Sequence, residues 1–296
     1  MLDRFFFKNH DHNDGQQNQQ TMLATTTILL SALIVLHSHA TTTAAVTTTT
    51  TPEDKMIQWM NEIQHEEIST PIDQNLQVSM FAIEGDPTNG TRRGVQTKVE
   101  LHRGDTVLSI PRKFFMSRAT AQRSDIGEVI RALEDVLTDK WLLTIHLMYE
   151  WFNPMSTWRS YLDTIPPPNP SETTDVLFWT EEDLALLQCS HKHQCHVVER
   201  IRNIQKATKT MFREIEPLMK SYFPSGTFTY DTFAWAYGTV RARCFTINVT
   251  QSYGNNFLKD GLKEGMLSIL VPFGDLLNHH NSNPPLQHGA YEFEDK

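Results

Sequence analysis

The feature that most constrains the fold is a long helical stretch enclosed by short strand-like segments. Apolar residues recur at helical spacing over residues 128–151 and again over 197–222, which predicts two long amphipathic helices. Between them, TIPPPNPSETTD is too rich in proline to continue a helix and is predicted to be a loop. Because β-type segments lie on both sides of residues 120–226, we predict an α+β chain in which a helical insertion interrupts a β-rich domain.

The segments that flank this insertion have their own turn and strand signals. Apolar residues recur at helical spacing over residues 54–68, and the acidic residues at the start of this segment favour a helix N-terminus. The turn signals EGDPTNG and HRGD then separate three strand-like runs, and HRGD predicts a hairpin between the second run and the third. The three runs are residues 76–83, 94–101 and 106–111, and the elements predicted after the insertion are a helix over 230–240 and strands over 245–249 and 266–271.

The first 53 residues predict a targeting segment followed by a linker. The apolar run over residues 28–36 is too short to span a bilayer but suits the core of a signal peptide. Small residues at Ser38 and Ala40 predict cleavage after Ala40, and the Thr-rich tract that follows has nothing to pack. The alternative is a disordered extension that happens to contain leucine and isoleucine. The destination stays open between the secretory pathway, a plastid reached through a signal peptide and, if the segment is unused, the cytoplasm or nucleus.

Composition excludes several classes of protein. A formal net charge of −9 argues against binding nucleic acid through broad phosphate attraction. Three cysteines are too few for a scaffold built on disulfides, and the signatures GxSxG, GxGxxG and the P-loop do not occur. We expect a monomer whose mature chain does not insert stably into a membrane.

One segment, CSHKHQCH, brings together side chains that ligate zinc in other proteins. Its spacing fits no familiar zinc finger, and five candidates on one short segment cannot easily converge on a tetrahedron. We therefore favour a polar loop between two helices over a metal site. The five residues are Cys189, His191, His193, Cys195 and His196.

The segment LVPFGDLLNHH, residues 270–280, is an apolar run that ends in polar side chains. Asp275, Asn278 and His279 follow it directly and, if buried, must be hydrogen-bonded. Two explanations remain open. These residues form a capped turn, which Asp and Asn suit, or they contact a ligand. Arg243, in RARCF, has two similar alternatives: its side chain binds an anion or faces solvent.

Taken together, four stretches resemble the SET-domain methyltransferases of the group that includes the Rubisco lysine methyltransferases and the actin-histidine methyltransferase. The resemblance extends over about residues 54–290, and its parts occur in the family's order. The four stretches are GTRRGVQTKVELHRGDTVLSIPRKFFMS, WRSYLDTIPPPNPSETTDVLFWTEEDLALLQ, FTYDTFAWAYGTVRARCF and LVPFGDLLNHHNSNPP.

The resemblance implies an α+β SET-domain fold of small β-sheets with a long helical insertion. Under it the chain divides into a targeting segment and linker (1–53), an N-terminal helix with the first SET strands (54–119), the helical insertion (120–226) and the second part of the SET domain (227–296). It implies S-adenosylmethionine as cofactor and methyl transfer to a lysine, or a histidine, of a protein substrate.

The resemblance also implies a set of cofactor contacts. Arg93 and Gly94 match the first-strand contacts, and Arg243 matches the motif arginine that suits the methionine carboxylate. Asp125 and Gly127 would line the adenosine side. Asp275, Asn278 and His279 would complete the donor site.

Two departures from the family pattern qualify these expectations. Ala242 stands where the motif has Ser or Thr, and the segment with the catalytic tyrosine would lie beyond Lys296, so the catalytic residue is unknown. We expect residues 1–296 alone, incomplete at the C-terminus, to be poorly folded and nearly inactive. The alternatives to an enzyme are a non-catalytic SET-like interaction module, a truncated inactive fragment and, less favoured, a metal-binding protein that uses the Cys/His segment.

Overall fold

The fold combines small antiparallel sheets with a group of helices. The computed structural model describes residues 4–8, 50–64, 75–82, 90–102, 105–171, 173–187, 192–248, 266–277 and 290–294. The strands are β1 (Arg4–Lys8), β2 (Leu76–Ala82), β3 (Thr91–Thr97), β4 (Thr106–Pro111), β5 (Met116–Ser117), β6 (Phe245–Asn248), β7 (Met266–Leu270) and β8 (Ala290–Glu294). The helices are α1 (Pro52–Gln64), α2 (Arg118–Arg123), α3 (Gly127–Leu133), α4 (Asp139–Phe152), α5 (Arg159–Leu162), α6 (Glu181–Leu186), α7 (Lys192–Met219) and α8 (Tyr230–Arg243).

The strands form three sheets in the orders β4-β1-β8, β2-β3 and β5-β7-β6. The hairpin predicted at HRGD is wrong, because β3 pairs with β2 and β4 pairs with β1. A turn does form there: the His102 N–H donates to Asp105 Oδ2 over 2.6 Å, and the Asp105 N–H donates to the His102 carbonyl over 3.1 Å. The local signal therefore identified the turn but not the partner of the strand that follows it.

The single helix predicted over residues 128–151 is also wrong, since α3 ends at Leu133 and α4 begins at Asp139. The N–H groups of Val136 and Leu137 both donate to the Leu133 carbonyl, and Thr138 has an extended backbone that ends the helical path. Val136 continued the apolar stripe in the sequence, yet it is 75% exposed. The sequence therefore predicted one continuous helix because Val136, although exposed, matched the apolar spacing at the break.

Other predicted elements are close to the observed ones. β4 has the predicted bounds, and α8 covers the predicted helix and continues to Arg243. α7 begins at Lys192, ahead of the predicted start at residue 197, so the predicted polar loop is wrong from Lys192 onward. Cys189 and His191 lie outside the described residues, as do the side chains of His193 and Cys195.

The strand β1 was not predicted, and it bears on the N-terminal segment. It pairs with both β4 and β8, at the centre of its sheet. Cleavage after Ala40 would remove this strand, so the predicted processing and this sheet are alternatives in the mature protein. No helix in the described part of the chain is long and apolar enough to cross a membrane.

One hydrophobic core joins the insertion to the strands. Helix α4 packs against β5 and β7 on one side and against α8 on the other. Its residues Leu142 and Leu143 are fully buried, and Trp141 stacks on Tyr237 of α8 with ring centroids 3.9 Å apart. Because burial of apolar area is the main favourable contribution to folding, α4 ties α8 to the sheet that carries β7.

We predict that Gly127→Ala destabilises the protein by about 1–3 kcal/mol, because a buried methyl group has no room at this position. A Cβ on Gly127 would run into the Gln122 carbonyl, which is backbone and cannot turn away. Urea unfolding measures the change. Glu128→Ala, at the exposed neighbouring position, is the control, and equal midpoints for the two variants would contradict the prediction.

Candidate functional site

A buried carboxylate lies at the centre of the site. The side chain of Asp275 is fully buried, and its Oδ2 accepts two hydrogen bonds. The Tyr161 hydroxyl donates one over 2.8 Å and the Arg243 guanidinium donates the other over 3.0 Å. Oδ1 has no hydrogen-bond partner among the described residues. A buried acceptor without a donor is costly, so this oxygen requires a donor from outside that set.

The local folding of two segments brings Asp275 and Arg243 together. Residues 267–271, in β7 and directly after it, are buried, and Pro272 follows before a short 3-10 helix, Gly274–Leu276, carries the aspartate. Arg243 is the last residue of α8, where Cys244 turns to an extended backbone and the chain enters β6. β6 pairs with β7, so the ends of the two segments meet. A cation also suits the C-terminus of a helix.

Electrostatics keep Tyr161 and Arg243 in the protonation states that these bonds require. Burial, reinforced by the charge of Asp275, raises the pKa of Tyr161 well above its usual value, so the phenol remains a donor. Burial alone would lower the pKa of Arg243, but Asp275, together with Tyr161 and Glu53, raises it above its usual value. The result is a charged guanidinium held on a buried carboxylate.

Arg93 and Gly94 reach the same region from β3, which lies against the Gly274–Leu276 turn. Arg93 forms an ion pair with Glu53 of α1 and donates to the Thr164 carbonyl over 2.9 Å. Gly94 is buried in β3. Thr164 in turn donates through its hydroxyl to the Tyr161 carbonyl over 2.7 Å, so Arg93 is connected to the residue that holds Asp275.

A cleft of about 350 Å³ opens beside Arg243. One side of it is a face of α8, and the opposite side is the proline-rich segment of the insertion. The Trp235 indole N–H donates to the Pro166 carbonyl over 2.9 Å and ties the two sides together. The side chain of Arg243 is 16% exposed and faces the cleft, and Ala242, which also lines it, brings no hydroxyl at the motif position.

Asp125 and Gly127 lie in a second group. Asp125 lines a different cavity, of about 390 Å³, and accepts a hydrogen bond from the Tyr149 hydroxyl over 3.0 Å. Gly127 is buried at the start of α3. Among the described residues, no contact joins either of them to Arg243 or Asp275. Their place on the adenosine side of a cofactor therefore stays a prediction.

Behind this second cavity lies a histidine with no exposed surface, His146. Its Nε2 lies 3.2 Å from the Thr120 hydroxyl and its Nδ1 lies 3.9 Å from Glu150. Burial, with the charge of Arg123, lowers the pKa of His146 to about 3. Burial also raises the pKa of Glu150. His146 is therefore neutral near neutral pH.

The sequence analysis missed two members of the site. Tyr161 lies within a stretch that carried the resemblance, but nothing in the local pattern singled it out. Glu53 was assigned to the linker, although it lies in the first turn of α1 and is buried against Arg93. Asn278 and His279 lie outside the described residues. No group of three or more His, Cys, Asp or Glu side chains suited to a metal ion occurs within the described ranges.

Comparison with known proteins places this geometry in a class. No family model matches the chain. A solved structure of Rubisco LSMT bound to AdoMet superposes with a TM-score of 0.53 and 22% identity, over 77% of this chain and 45% of that one. The SET domain of LSMT bound to methyl-lysine and AdoHcy gives the same TM-score and identity, over 76% and 45%. The α+β fold of this chain is therefore the SET-domain fold.

The curated proteins that the chain matches belong to the group that the sequence resembled. The chloroplastic Rubisco large subunit N-methyltransferase of Nicotiana tabacum is 26% identical over 191 residues, or 63% of this chain and 33% of the relative. The chloroplastic fructose-bisphosphate aldolase-lysine N-methyltransferase of Arabidopsis thaliana is 26% identical over 207 residues, or 69% and 36%. The actin-histidine N-methyltransferase of Danio rerio is 26% identical over 213 residues, or 69% and 31%.

These relatives confirm the resemblance to the group of Rubisco lysine methyltransferases and actin-histidine methyltransferases. The chain spans about a third of the length of the curated relatives that it matches.

We predict that His146 makes the free energy of unfolding decrease as the pH is lowered from about 6.5 to about 3. In this window the unfolded histidine binds a proton that the folded one excludes, so the free energy of unfolding decreases as pH falls. The contribution is up to about 1.4 kcal/mol per pH unit. His146→Gln, which keeps a polar group near Thr120 but does not titrate, should show a shallower slope in urea unfolding across this range.

The matched control is His102→Gln, because the His102 side chain is 75% exposed. The free energy of unfolding of this variant should depend on pH in the same way as that of the parent protein. Glu150 is present in the parent and in both variants and should contribute equally to all three. Parallel profiles for His146→Gln and the parent would contradict the prediction.

Proposed function

We propose that this chain binds S-adenosylmethionine and supplies the donor side of a protein methyltransferase. The observation that carries the proposal is the Arg243 guanidinium, held by buried Asp275 and facing a cleft in a SET-domain fold. Guanidinium groups bind carboxylates through charge-assisted and often bidentate hydrogen bonds. The methionine part of the cofactor ends in such a carboxylate.

The residues present fit this group in charge and position. Arg243 would hold the methionine carboxylate, with Asp275 and Tyr161 fixing the direction of the guanidinium. Arg93 and Gly94, on the strand against the Asp275 turn, would border the cofactor, and Asn278 and His279 follow that turn in sequence. When bound, the cofactor supplies an activated methyl group on a sulfonium. What remains for the protein is to align the acceptor and exclude water.

The proposed acceptor is a lysine, or a histidine, of a protein substrate. The names of the relatives support this, since they refer to the Rubisco large subunit, to aldolase and to actin. Each named substrate belongs to its own enzyme, and for this chain we propose only the class. A lysine ammonium must first lose a proton to become a neutral amine, and a histidine must present an unprotonated ring nitrogen, before either could accept a methyl group from the sulfonium.

We predict saturable binding of S-adenosylmethionine by the full-length, folded protein in calorimetric titration, and weaker binding by the same protein carrying Arg243→Met. Loss of a hydrogen-bonded charge partner costs about 1.5–3 kcal/mol, which corresponds to roughly a tenfold to hundredfold rise in Kd. Arg243→Lys keeps the charge but not the planar fork and should lie between the parent and Arg243→Met.

Arg241→Met is the control, since it removes a cation from the same end of α8, where Arg241 lies 3.7 Å from Asp175. Its Kd should stay within about threefold of the parent value, a difference below the cost of one hydrogen bond. A variant enters the comparison only when its circular dichroism matches that of the parent. Absence of saturable binding by folded parent protein would overturn the proposal.

For the N-terminal segment we infer delivery to a plastid or into the secretory pathway. Two of the relatives are named as chloroplastic, and the apolar run of residues 28–36 suits a signal-peptide core. The inference concerns only what residues 1–53 can direct.

We predict that residues 1–53 carry a fused fluorescent protein out of the cytosol of leaf cells. The mass of the processed product should correspond to cleavage after Ala40. Substitution of Leu29, Leu30 and Leu33 by serine removes the apolar core and should leave the fusion in the cytosol. A diffuse cytosolic signal from the unsubstituted fusion would contradict the inference.

A further inference from the structure

The backbone directly before Asp275 has an unusual conformation. Phe273 has φ 68° and ψ −41°, and it is the single non-glycine residue with positive φ in the described part of the chain. For a bulky side chain this is an outlier, because Cβ crowds the neighbouring carbonyl. Such strain persists only where the surrounding structure enforces it, and it clusters at functional sites.

Burial of the ring is what enforces it here. The side chain of Phe273 is fully buried in the main hydrophobic core, next to fully buried Val271. Glycine, which tolerates positive φ, is the next residue along the chain, yet the strained conformation falls on Phe273 rather than on Gly274. The ring therefore anchors a backbone that would otherwise relax.

The strained residue also sets the direction of the turn. The Asp275 N–H donates to the Val271 carbonyl over 3.0 Å, and the Leu276 N–H donates to the Phe273 carbonyl over 3.2 Å. These two bonds close the turn around Phe273. At the far side of it the Asp275 carboxylate reaches both Tyr161 and Arg243.

We propose that Phe273 is a positioning residue for the donor site. Its positive-φ backbone, fixed by burial of the ring, aims the Asp275 carboxylate at Arg243 and Tyr161. Through Asp275 it sets the direction of the guanidinium that faces the cleft. As far as cofactor binding is concerned, the inference rests on the proposed function.

The test is a pair of variants, Phe273→Ala and Phe273→Gly, which both remove the ring. Alanine keeps the Cβ, so without the anchor the turn should relax and displace Asp275. Glycine accepts the same φ and ψ without strain, so the turn should be kept. At a temperature where both variants are folded, we expect Phe273→Ala to raise the Kd for S-adenosylmethionine at least tenfold. Phe273→Gly should stay within threefold of the parent.

A merely structural role predicts a different result, because both variants lose the same ring from the core. Equal affinities for the alanine and glycine variants, whether weakened or unchanged, would overturn the proposal. The control pair is Phe115→Ala and Phe115→Gly: Phe115 is also buried but has φ −71°, so glycine should give no advantage there. An equal rescue by glycine at Phe115 would also overturn the proposal.

Crystal structures of the two Phe273 variants separate this inference from the proposed function. The distance from Asp275 Oδ2 to the Tyr161 hydroxyl is 2.8 Å in the parent. It should be kept in Phe273→Gly and lost in Phe273→Ala. If the parent binds no S-adenosylmethionine, the proposed function fails while these distances still decide the role of Phe273.

Discussion

The buried carboxylate of Asp275 is the constraint on which the rest of the site depends. A charge removed from water is unfavourable unless opposite charge and hydrogen bonds replace its hydration. Here both donors converge on one oxygen, the Tyr161 hydroxyl at 2.8 Å and the Arg243 guanidinium at 3.0 Å. Since the three residues come from the insertion, from the end of α8 and from the turn after β7, one carboxylate fixes the relative positions of three segments. The insertion is therefore part of the site as well as a neighbour of it.

A second set of contacts, made by Arg93 and by the packing of α4 on α8, supports the same arrangement. Arg93 links β3 to α1 through Glu53 and to the insertion through the Thr164 carbonyl. Beneath the site, Trp141 of α4 stacks on Tyr237 of α8, the helix that ends in Arg243. Polar contacts thus fix the direction of the charged groups, while aromatic packing fixes the helix from which the arginine projects. Loss of either set would disturb the cleft through the elements that support it.

Local sequence patterns predicted what depends on local physics. Alternation and turn residues located β4, and helical periodicity located α8, because both signals lie within the elements themselves. Periodicity failed where an exposed residue, Val136, happened to continue an apolar stripe across the break before Thr138. The HRGD turn was found but its strand partner was not, since a turn signal does not determine which distant strand completes a sheet.

The candidate site was predictable only in part, for a related reason. Family resemblance pointed to Arg243 and Asp275, and the structure shows that they are in contact. Tyr161 and Glu53 escaped notice because their partners lie far away in sequence, and no periodicity encodes a contact of that kind. The positive φ of Phe273 was not predicted either, because the sequence places a glycine directly after it.

The sequence separation within the Asp275 network has a consequence for biosynthesis. Tyr161 and Asp275 are 114 residues apart, so at typical rates of synthesis of 5–20 residues per second the tyrosine waits roughly 6–23 s for its acceptor. During that interval α4 and α5 have been synthesised, while β7, one of the elements that α4 packs against, and the turn that follows it have not yet been made. The nascent insertion therefore exposes apolar surface until β7 emerges. That interval is when the chain is most open to aggregation and to capture by chaperones.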